Sequence, residues 1–295
     1  MVSAARDRRS IAAALAVVLI WSTSFSLAKD AIVHLGPWVF RFCAMAVGLL
    51  PLLPWVRRSI ADARRMEPRP RRRLLLAVVA NGTVVSSVNM LALAWFPASS
   101  VLTMMYTMPA FTSVIVALQT RQWSPLGVAA PLAALAGVAV YAGDALVGAG
   151  ALLVLANALL WALGTRWSGQ ATAHCQPFTA VTLQMLIAFV ASVPLLLIEL
   201  LPSGHALPMP RVADVVGVLY AGLFNGALVF WLWYVAIAGL GALRASWFTL
   251  LVPVLGSAFA ALFYAEVLGL RQWLGIALVS LSLLLQGLAR RRATG

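Results

Sequence analysis

The sequence predicts an all-α integral membrane protein, with ten transmembrane helices arranged as two inverted five-helix repeats around a central cavity. Hydrophobic residues make up 63% of the chain and charged residues 10%. A soluble domain, in contrast, is roughly half apolar and about a quarter charged. The apolar residues form ten continuous runs, which favour helices because the strands of a membrane β-barrel alternate between apolar and polar residues.

The ten runs are predicted to be ten spans, because a membrane helix needs about 20 mostly apolar residues. Turn residues such as Gly36-Pro37, Pro97 and Gly148 separate the runs. In chain order, spans one to ten are residues 11–28, 37–56, 74–96, 98–118, 125–143, 148–167, 178–199, 212–237, 242–264 and 271–289.

The loop charges predict the orientation of the spans, since Lys and Arg are enriched on the cytoplasmic side. With the N-terminus in the cytoplasm, seventeen of the 21 Lys and Arg residues fall in cytoplasmic segments, eight of them between Arg57 and Arg73. Only Lys29, Arg211 and Arg271 fall in outer segments. Both termini are therefore predicted to be cytoplasmic.

Sequence similarity between the two halves predicts the repeats. Ala92, Ala94, Ala98 and Pro109 match Ala236, Ala238, Ala242 and Pro253, all at one offset, and the Leu19–Ser22 segment resembles Leu159–Ala162. We therefore predict a first repeat over 1–145 and a second over 146–295. Five is an odd number of spans, so the second repeat enters the membrane from the opposite side.

The charges argue against several other classes of protein. The net charge is +13, but the basic residues lie at span ends without interleaved aromatic residues, so we expect no nucleic-acid partner. All acids and histidines lie at span ends or in loops, which leaves no catalytic or metal-binding constellation inside the membrane. Cys43 and Cys175 are far apart and indicate neither a disulfide nor a metal site. We expect no cofactor, no metal and no enzymatic activity.

Uncharged polar and aromatic residues inside the spans are the candidates for a binding site. Trp21 and Trp161 occupy equivalent places in the repeats, and a buried amide in lipid must find a partner. Pro109 and Pro253 each lack an N–H and release a carbonyl four residues earlier, so we expect either a hinge pair or two packing kinks. The predicted substrate-binding residues are Trp21, Ser22, Ser24, Asn81, Asn89, Tyr106, Asn157, Trp161, Ser246, Trp247 and Thr249.

Arg41 is the exception to the neutral interior, because it lies about one turn inside span two. Two interpretations remain open: the side chain snorkels to the outer face, or it binds a substrate carboxylate or acts in gating. Gly222 and Gly226 form a GxxxG pattern that predicts close helix packing.

The chain resembles the drug/metabolite transporter superfamily, in its ten-span branch with duplicated EamA domains. The matching residues are Ile20-Trp21-Ser22, the Ala-rich runs that lead to Pro109 and Pro253, and Glu266 followed by Gln272-Trp273. The first half has Thr120-Arg121-Gln122 in place of Glu266, so that glutamate is not duplicated and could pair with Arg271.

The resemblance implies a transporter whose partners are a small-molecule substrate and membrane lipid, as a monomer or homodimer. A neutral cavity rich in amides and aromatic rings suits zwitterionic amino acids, so the chain is similar to bacterial exporters of aromatic or neutral amino acids. The alternatives are an efflux protein for multiple drugs or cationic compounds and, more remotely, a lipid-modifying enzyme. Twenty arginines against one lysine are typical of a GC-rich bacterial genome. The resemblance to bacterial exporters implies a location in the inner membrane.

Overall fold

A computed structural model describes residues 2–96, 98–121, 123–143, 148–201, 208–264 and 269–294. Within these ranges the regular structure is entirely helical. Apolar side chains dominate the spans, and in lipid a helix satisfies every backbone polar group within the segment. The interpretation of Glu266 falls outside the described residues.

The helices follow the predicted spans, and several spans consist of two or three helical segments. The first half contains α1 (Val2–Leu35), α2 (Pro37–Leu49), a 3₁₀ segment (Leu50–Trp55), α3 (Val56–Arg65), α4 (Pro68–Val78), a π-helical segment (Val79–Val85), α5 (Ser86–Trp95), α6 (Ala98–Met105), α7 (Met108–Thr120) and α8 (Pro125–Ala142). The second half contains α9 (Ala149–Ala171), α10 (Pro177–Leu200), α11 (Val212–Leu219), a second π-helical segment (Tyr220–Leu228), α12 (Val229–Leu240), α13 (Ala242–Phe248), α14 (Leu251–Tyr264) and α15 (Leu270–Thr294).

Seven of the described helices are long and apolar enough to cross a membrane. The count is eight if the two parts of α1, Asp7–Ser24 and Leu27–Leu35, form one span bent by 47°. The apolar helix at Pro125–Tyr141 is shorter. The chain is therefore a helical multi-pass membrane protein, and the count of ten spans stays a prediction.

Corresponding spans of the two halves pack against corresponding neighbours. Span one packs against spans eight and nine, and span six packs against spans three and four. Span two lies against the π-helical segment of span eight, just as span seven lies against that of span three. Spans five and ten pack tightly against each other, so the two halves are interleaved throughout the bundle.

Residues predicted to lie on the outer side of the membrane meet at one end of the bundle. The His34 Nδ1 lies 2.7 Å from an Asp214 carboxylate oxygen, which joins spans one and eight. Glu199 of span seven accepts hydrogen bonds from the first backbone N–H groups of α2, at Trp38 and Val39. Gly36 permits this contact, because its φ is +88° and a Cβ there would lie 2.2 Å from the Glu199 carboxylate.

The opposite end of the bundle joins residues predicted to be cytoplasmic. The Arg166 Nε donates to Gln119 at 2.9 Å, and the Ser10 hydroxyl donates to the Val235 carbonyl at 3.4 Å. Residues predicted to share one side of the membrane therefore lie at the same end of the bundle, and the orientation itself stays a prediction.

Candidate functional site

A cavity between the two halves is the candidate site. It has about 890 Å³ of space free of protein atoms, including the part that is open to solvent. Spans one to four contribute Trp21, Ser24, Arg41, Asn81, Ser86, Asn89 and Tyr106, with apolar neighbours. Spans six to eight contribute Trp161, Met185, Ala221, Asn225, Gly226 and Phe230.

Aromatic rings form one wall of this cavity. The ring centroids of Trp21 and Trp161 lie 5.2 Å apart at an interplanar angle of 80°, an edge-to-face contact. Tyr106 lies 5.6 Å from Trp161 and 6.5 Å from Trp21. Trp233 and Phe230 pack on Trp21 from the second half. Trp21, Tyr106, Trp161 and Phe230 line the cavity, so this cluster provides its aromatic surface.

Two π-helical segments bring Asn-Gly pairs into the cavity. Asn81-Gly82 lies in the π-helical segment of span three and Asn225-Gly226 in that of span eight, and all four residues line the cavity. Neither amide atom of Asn81 has a hydrogen-bond partner within the described chain, and the Oδ1 of Asn225 has none either. Since π-helical turns frequently mark functional sites and buried amides normally have partners, these unpaired atoms mark the polar part of the site.

Arg41 is buried in the cavity wall, with only 1% of its surface exposed. Its guanidinium donates to the Ser86 hydroxyl at 2.7 Å and to the Gly82 carbonyl at 2.9 Å, with a longer contact of 3.4 Å to the Thr83 carbonyl. The interpretation that Arg41 snorkels to the membrane surface is therefore wrong, because carbonyls beside the π-helical turn hold the guanidinium inside the protein.

The fold brings six of the eleven predicted binding residues to the cavity: Trp21, Ser24, Asn81, Asn89, Tyr106 and Trp161. Asn157 lies behind this lining, where its Nδ2 donates to the Asn89 Oδ1 and to the Val85 carbonyl, each at 3.0 Å.

The other four predicted binding residues do not line the cavity. The hydroxyls of Ser22, Ser246 and Thr249 donate to carbonyls of their own helices. The buried Trp247 Nε1 has no partner within the described chain.

The predicted hinge prolines accompany breaks in spans four and nine. Span four is interrupted between Met105 and Met108, just before Pro109, and span nine between Phe248 and Leu251, just before Pro253. The Thr249 carbonyl, which Pro253 was expected to release, accepts a hydrogen bond from the Val252 N–H at 3.0 Å. Tyr106 lies within the first break and lines the cavity, so the break in span four is next to the site.

Asn225 and Arg41 are cavity residues that were not among the predicted binding residues. A signal for Asn225 was present: Asn225-Gly226 repeats Asn81-Gly82 at the offset that relates Pro109 to Pro253. No comparable signal in the sequence indicates the inward direction of Arg41, because that direction depends on the carbonyl groups of span three.

Comparisons with known proteins bear on the fold and the family. A search of curated proteins finds no match. A solved crystal structure, described only as that of a protein, is similar with a TM-score of 0.72 and 18% identity, over 97% of this chain and 99% of the other. At that identity the likeness shows the fold alone.

A family model matches the chain twice, once over residues 8–142 and once over residues 148–287. The two matches cover nearly all of the chain and fall in its two halves. The family is described as the EamA-like transporter family, part of the drug/metabolite transporter superfamily. The two matched repeats therefore show that this chain belongs to the EamA-like transporter family.

Proposed function

We propose that this transporter exports aromatic or neutral amino acids, or related small metabolites, across a bacterial inner membrane. The observation that carries the proposal is the cavity between the halves, which is lined by the contacting rings of Trp21 and Trp161 and by amides from both repeats. Rings of this kind suit an apolar side chain, and a few convergent polar groups fix the orientation of a ligand. Both termini are proposed to be cytoplasmic.

The transport mechanism we propose is alternating access between two inverted repeats of five spans. In such folds the binding site lies near the midplane, at the interface of the repeats. The direct contact between the equivalent residues Trp21 and Trp161 supports this arrangement, since equivalent residues meet only near an axis that relates the halves. Helix breaks before Pro109 and Pro253 provide one interruption in each half where a span can bend.

Efflux of cationic drugs is less well supported than amino-acid export. The described lining of the cavity contains the cation Arg41 and no carboxylate. A cationic ligand would be repelled by Arg41 and would find no opposite charge there. We therefore keep amino acids as the leading substrate class.

Flux into proteoliposomes tests the proposal. Purified protein should move labelled phenylalanine faster than protein-free vesicles do, and Trp21→Ala and Trp161→Ala should lower the initial rate by about tenfold or more, since each ring packs against several others. Trp273→Ala is the matched control, because Trp273 is exposed and lies outside the cavity lining.

Removing a buried tryptophan can also impair folding, so Trp161→Phe is measured beside Trp161→Ala, with gel filtration of each purified variant. Amino-acid flux equal to that of empty vesicles for the wild-type protein would overturn the proposal. Equal initial transport rates for the folded wild type, Trp21→Ala and Trp161→Ala would show that the two rings do not contribute to substrate binding.

A further inference from the structure

We propose that Arg41 binds a carboxylate on the transported molecule, so that the cargo must carry an anionic group. The inference rests on the proposed transport function and specifies its substrate class. Arg41 is the one charged side chain among the described residues that line the cavity.

The hydrogen bonds of Arg41 leave part of its guanidinium free. Arginine has five N–H donors in a fixed fork that matches a carboxylate. Contacts to Ser86, Gly82 and Thr83 occupy three of them. The Nε is buried and has no partner within the described chain. A ligand in the cavity can therefore complete the hydrogen bonding of this side chain.

The positive charge of Arg41 also has no partner of opposite charge among the described residues. None of the described carboxylates lies within ion-pair distance of its guanidinium. An unpaired charge inside a membrane protein is costly and usually marks a substrate or ion pathway. The partners of Arg41 are uncharged oxygens, which orient the guanidinium without neutralising it. An anionic group on the cargo would provide the missing negative charge.

Neighbouring amides complete a site for a zwitterion. The Asn81 Nδ2 has no partner and can donate to the same carboxylate, whereas the Oδ1 atoms of Asn81 and Asn225 are free to accept from an ammonium group. The rings of Trp21 and Trp161 then face the remaining apolar part of the ligand. This division of roles orients the cargo, with its carboxylate toward span two.

A purely structural role for Arg41 makes a different prediction. In that case the guanidinium only satisfies the Gly82 and Thr83 carbonyls of the π-helical segment. Replacing Arg41 would then change stability, but the protein would not distinguish a charged ligand from its neutral isostere. Ligand discrimination separates the two roles, and the wild-type protein alone can reveal it.

The first experiment compares phenylacetate with phenylacetamide on purified wild-type protein. The two probes have nearly the same shape and differ in charge, and tryptophan fluorescence reports binding because Trp21 and Trp161 line the cavity. We expect phenylacetate to bind at least about tenfold more tightly, the usual effect of a charge-assisted hydrogen bond. Equal affinities of the wild-type protein for the two probes would overturn the proposal.

The second experiment assigns that preference to Arg41. Arg41→Gln should abolish it, and Arg41→Lys should retain part of it, because lysine keeps the charge but loses the fork. Lys29→Gln is the matched control: it removes one positive charge and contacts to the Leu93 and Phe96 carbonyls, but Lys29 does not line the cavity. A folded Arg41→Gln protein that still prefers phenylacetate would contradict the assignment.

The two proposals fail in distinguishable ways. Phenethylamine is phenylalanine without its carboxylate. If unlabelled phenylalanine and phenethylamine inhibit the transport of labelled phenylalanine by the wild-type protein equally, amino-acid transport is supported and the proposed role of Arg41 is wrong. If no amino acid is transported but phenylacetate binds through Arg41, the carboxylate site stands and the proposed cargo is wrong.

Discussion

The two walls of the cavity differ in chemistry although both are built on the same frame. The wall from spans one to four carries Arg41, Asn81, Ser86 and Asn89, whereas the wall from spans six to eight is largely apolar, with Asn225 as its main polar group. Each wall has a π-helical turn with an Asn-Gly pair. The duplicated frame is therefore similar in the two halves, but the polar groups are not.

This difference indicates how a symmetric scaffold can hold an asymmetric molecule. Equivalent backbone features, the π-helical turns and the breaks before Pro109 and Pro253, shape the cavity from both sides. Among the described residues that line the cavity, the charge is on one side, at Arg41. If the proposed substrate class is right, we expect an amino acid to bind in one orientation, with its carboxylate at Arg41 and its apolar side chain against the aromatic rings.

The all-or-none prediction concerns equivalent loops of the two halves. If the repeats are inverted, the loop between spans two and three and the loop between spans seven and eight lie on opposite sides of the membrane. In a Cys43→Ala/Cys175→Ala background, we expect an impermeant maleimide to label Met209→Cys in intact cells and Glu67→Cys only after permeabilisation. Both positions are exposed, and Met209 is 89% exposed.

Labelling of both positions from the same side would show that the repeats are not inverted. Cys175 is replaced as well, although burial raises the pKa of its thiol to about 11. Its thiol therefore stays protonated near pH 7, and its labelling rate should increase as the pH approaches that value.

A large effect on stability is expected where spans two and eight touch. A Cβ on Gly222 would lie 2.5 Å from the Ala44 carbonyl oxygen and 2.9 Å from the Gly48 nitrogen, both of them backbone atoms. Gly222→Ala should therefore lower the free energy of unfolding by about 1–3 kcal/mol or more, the usual cost of overpacking.

Gly226→Ala is the comparison in the same span, since its Cβ would be 3.1 Å from the nearest atom and needs a smaller shift. Thermal unfolding of the purified variants in detergent measures which of the two is less stable, and we expect it to be Gly222→Ala. The close-packing interpretation of Gly222 fails if the two variants unfold at the same temperature.

Smaller effects are expected for two asparagines of the site, one of which should affect stability and the other substrate affinity. Asn157→Ala removes hydrogen bonds to Asn89 and the Val85 carbonyl and should cost about 1–2 kcal/mol of stability. Asn81→Ala removes an amide whose two polar atoms are unpaired, so stability should be unchanged or slightly higher while substrate affinity falls.

Thermal unfolding and transport are measured on the same preparations of these two variants. A transport rate of Asn81→Ala equal to that of the wild type would contradict the assignment of Asn81 to substrate binding. An unfolding temperature of Asn157→Ala equal to that of the wild type would contradict the supporting role of Asn157.

Much of the site follows from the sequence because the relevant signals are local or repeated. Apolar runs of membrane length predict helices, and the positions of Trp21 and Trp161 in matching segments predict that they act together. The other candidates were selected as uncharged polar or aromatic residues inside the spans, and four of them, Ser24, Asn81, Asn89 and Tyr106, also line the cavity. Ser246, Trp247 and Thr249 were selected by the same reasoning, but a polar residue in a membrane helix can bond its own backbone instead, as Ser246 and Thr249 do.

The sequence by itself determined the helical membrane class and the duplication, because hydrophobicity and repeated residues are readable without contacts. Only the tertiary structure decided the direction of Arg41 and the location of the cavity. The direction of Arg41 depends on the π-helical turn of span three, whose Gly82 carbonyl accepts from the guanidinium, and on the packing of span two against α5, which belongs to span three. The cavity forms where residues of spans one to four meet residues of spans six to eight. Such meetings of separate spans leave no periodic signal in the chain, since they depend on contacts between residues that are far apart in the sequence.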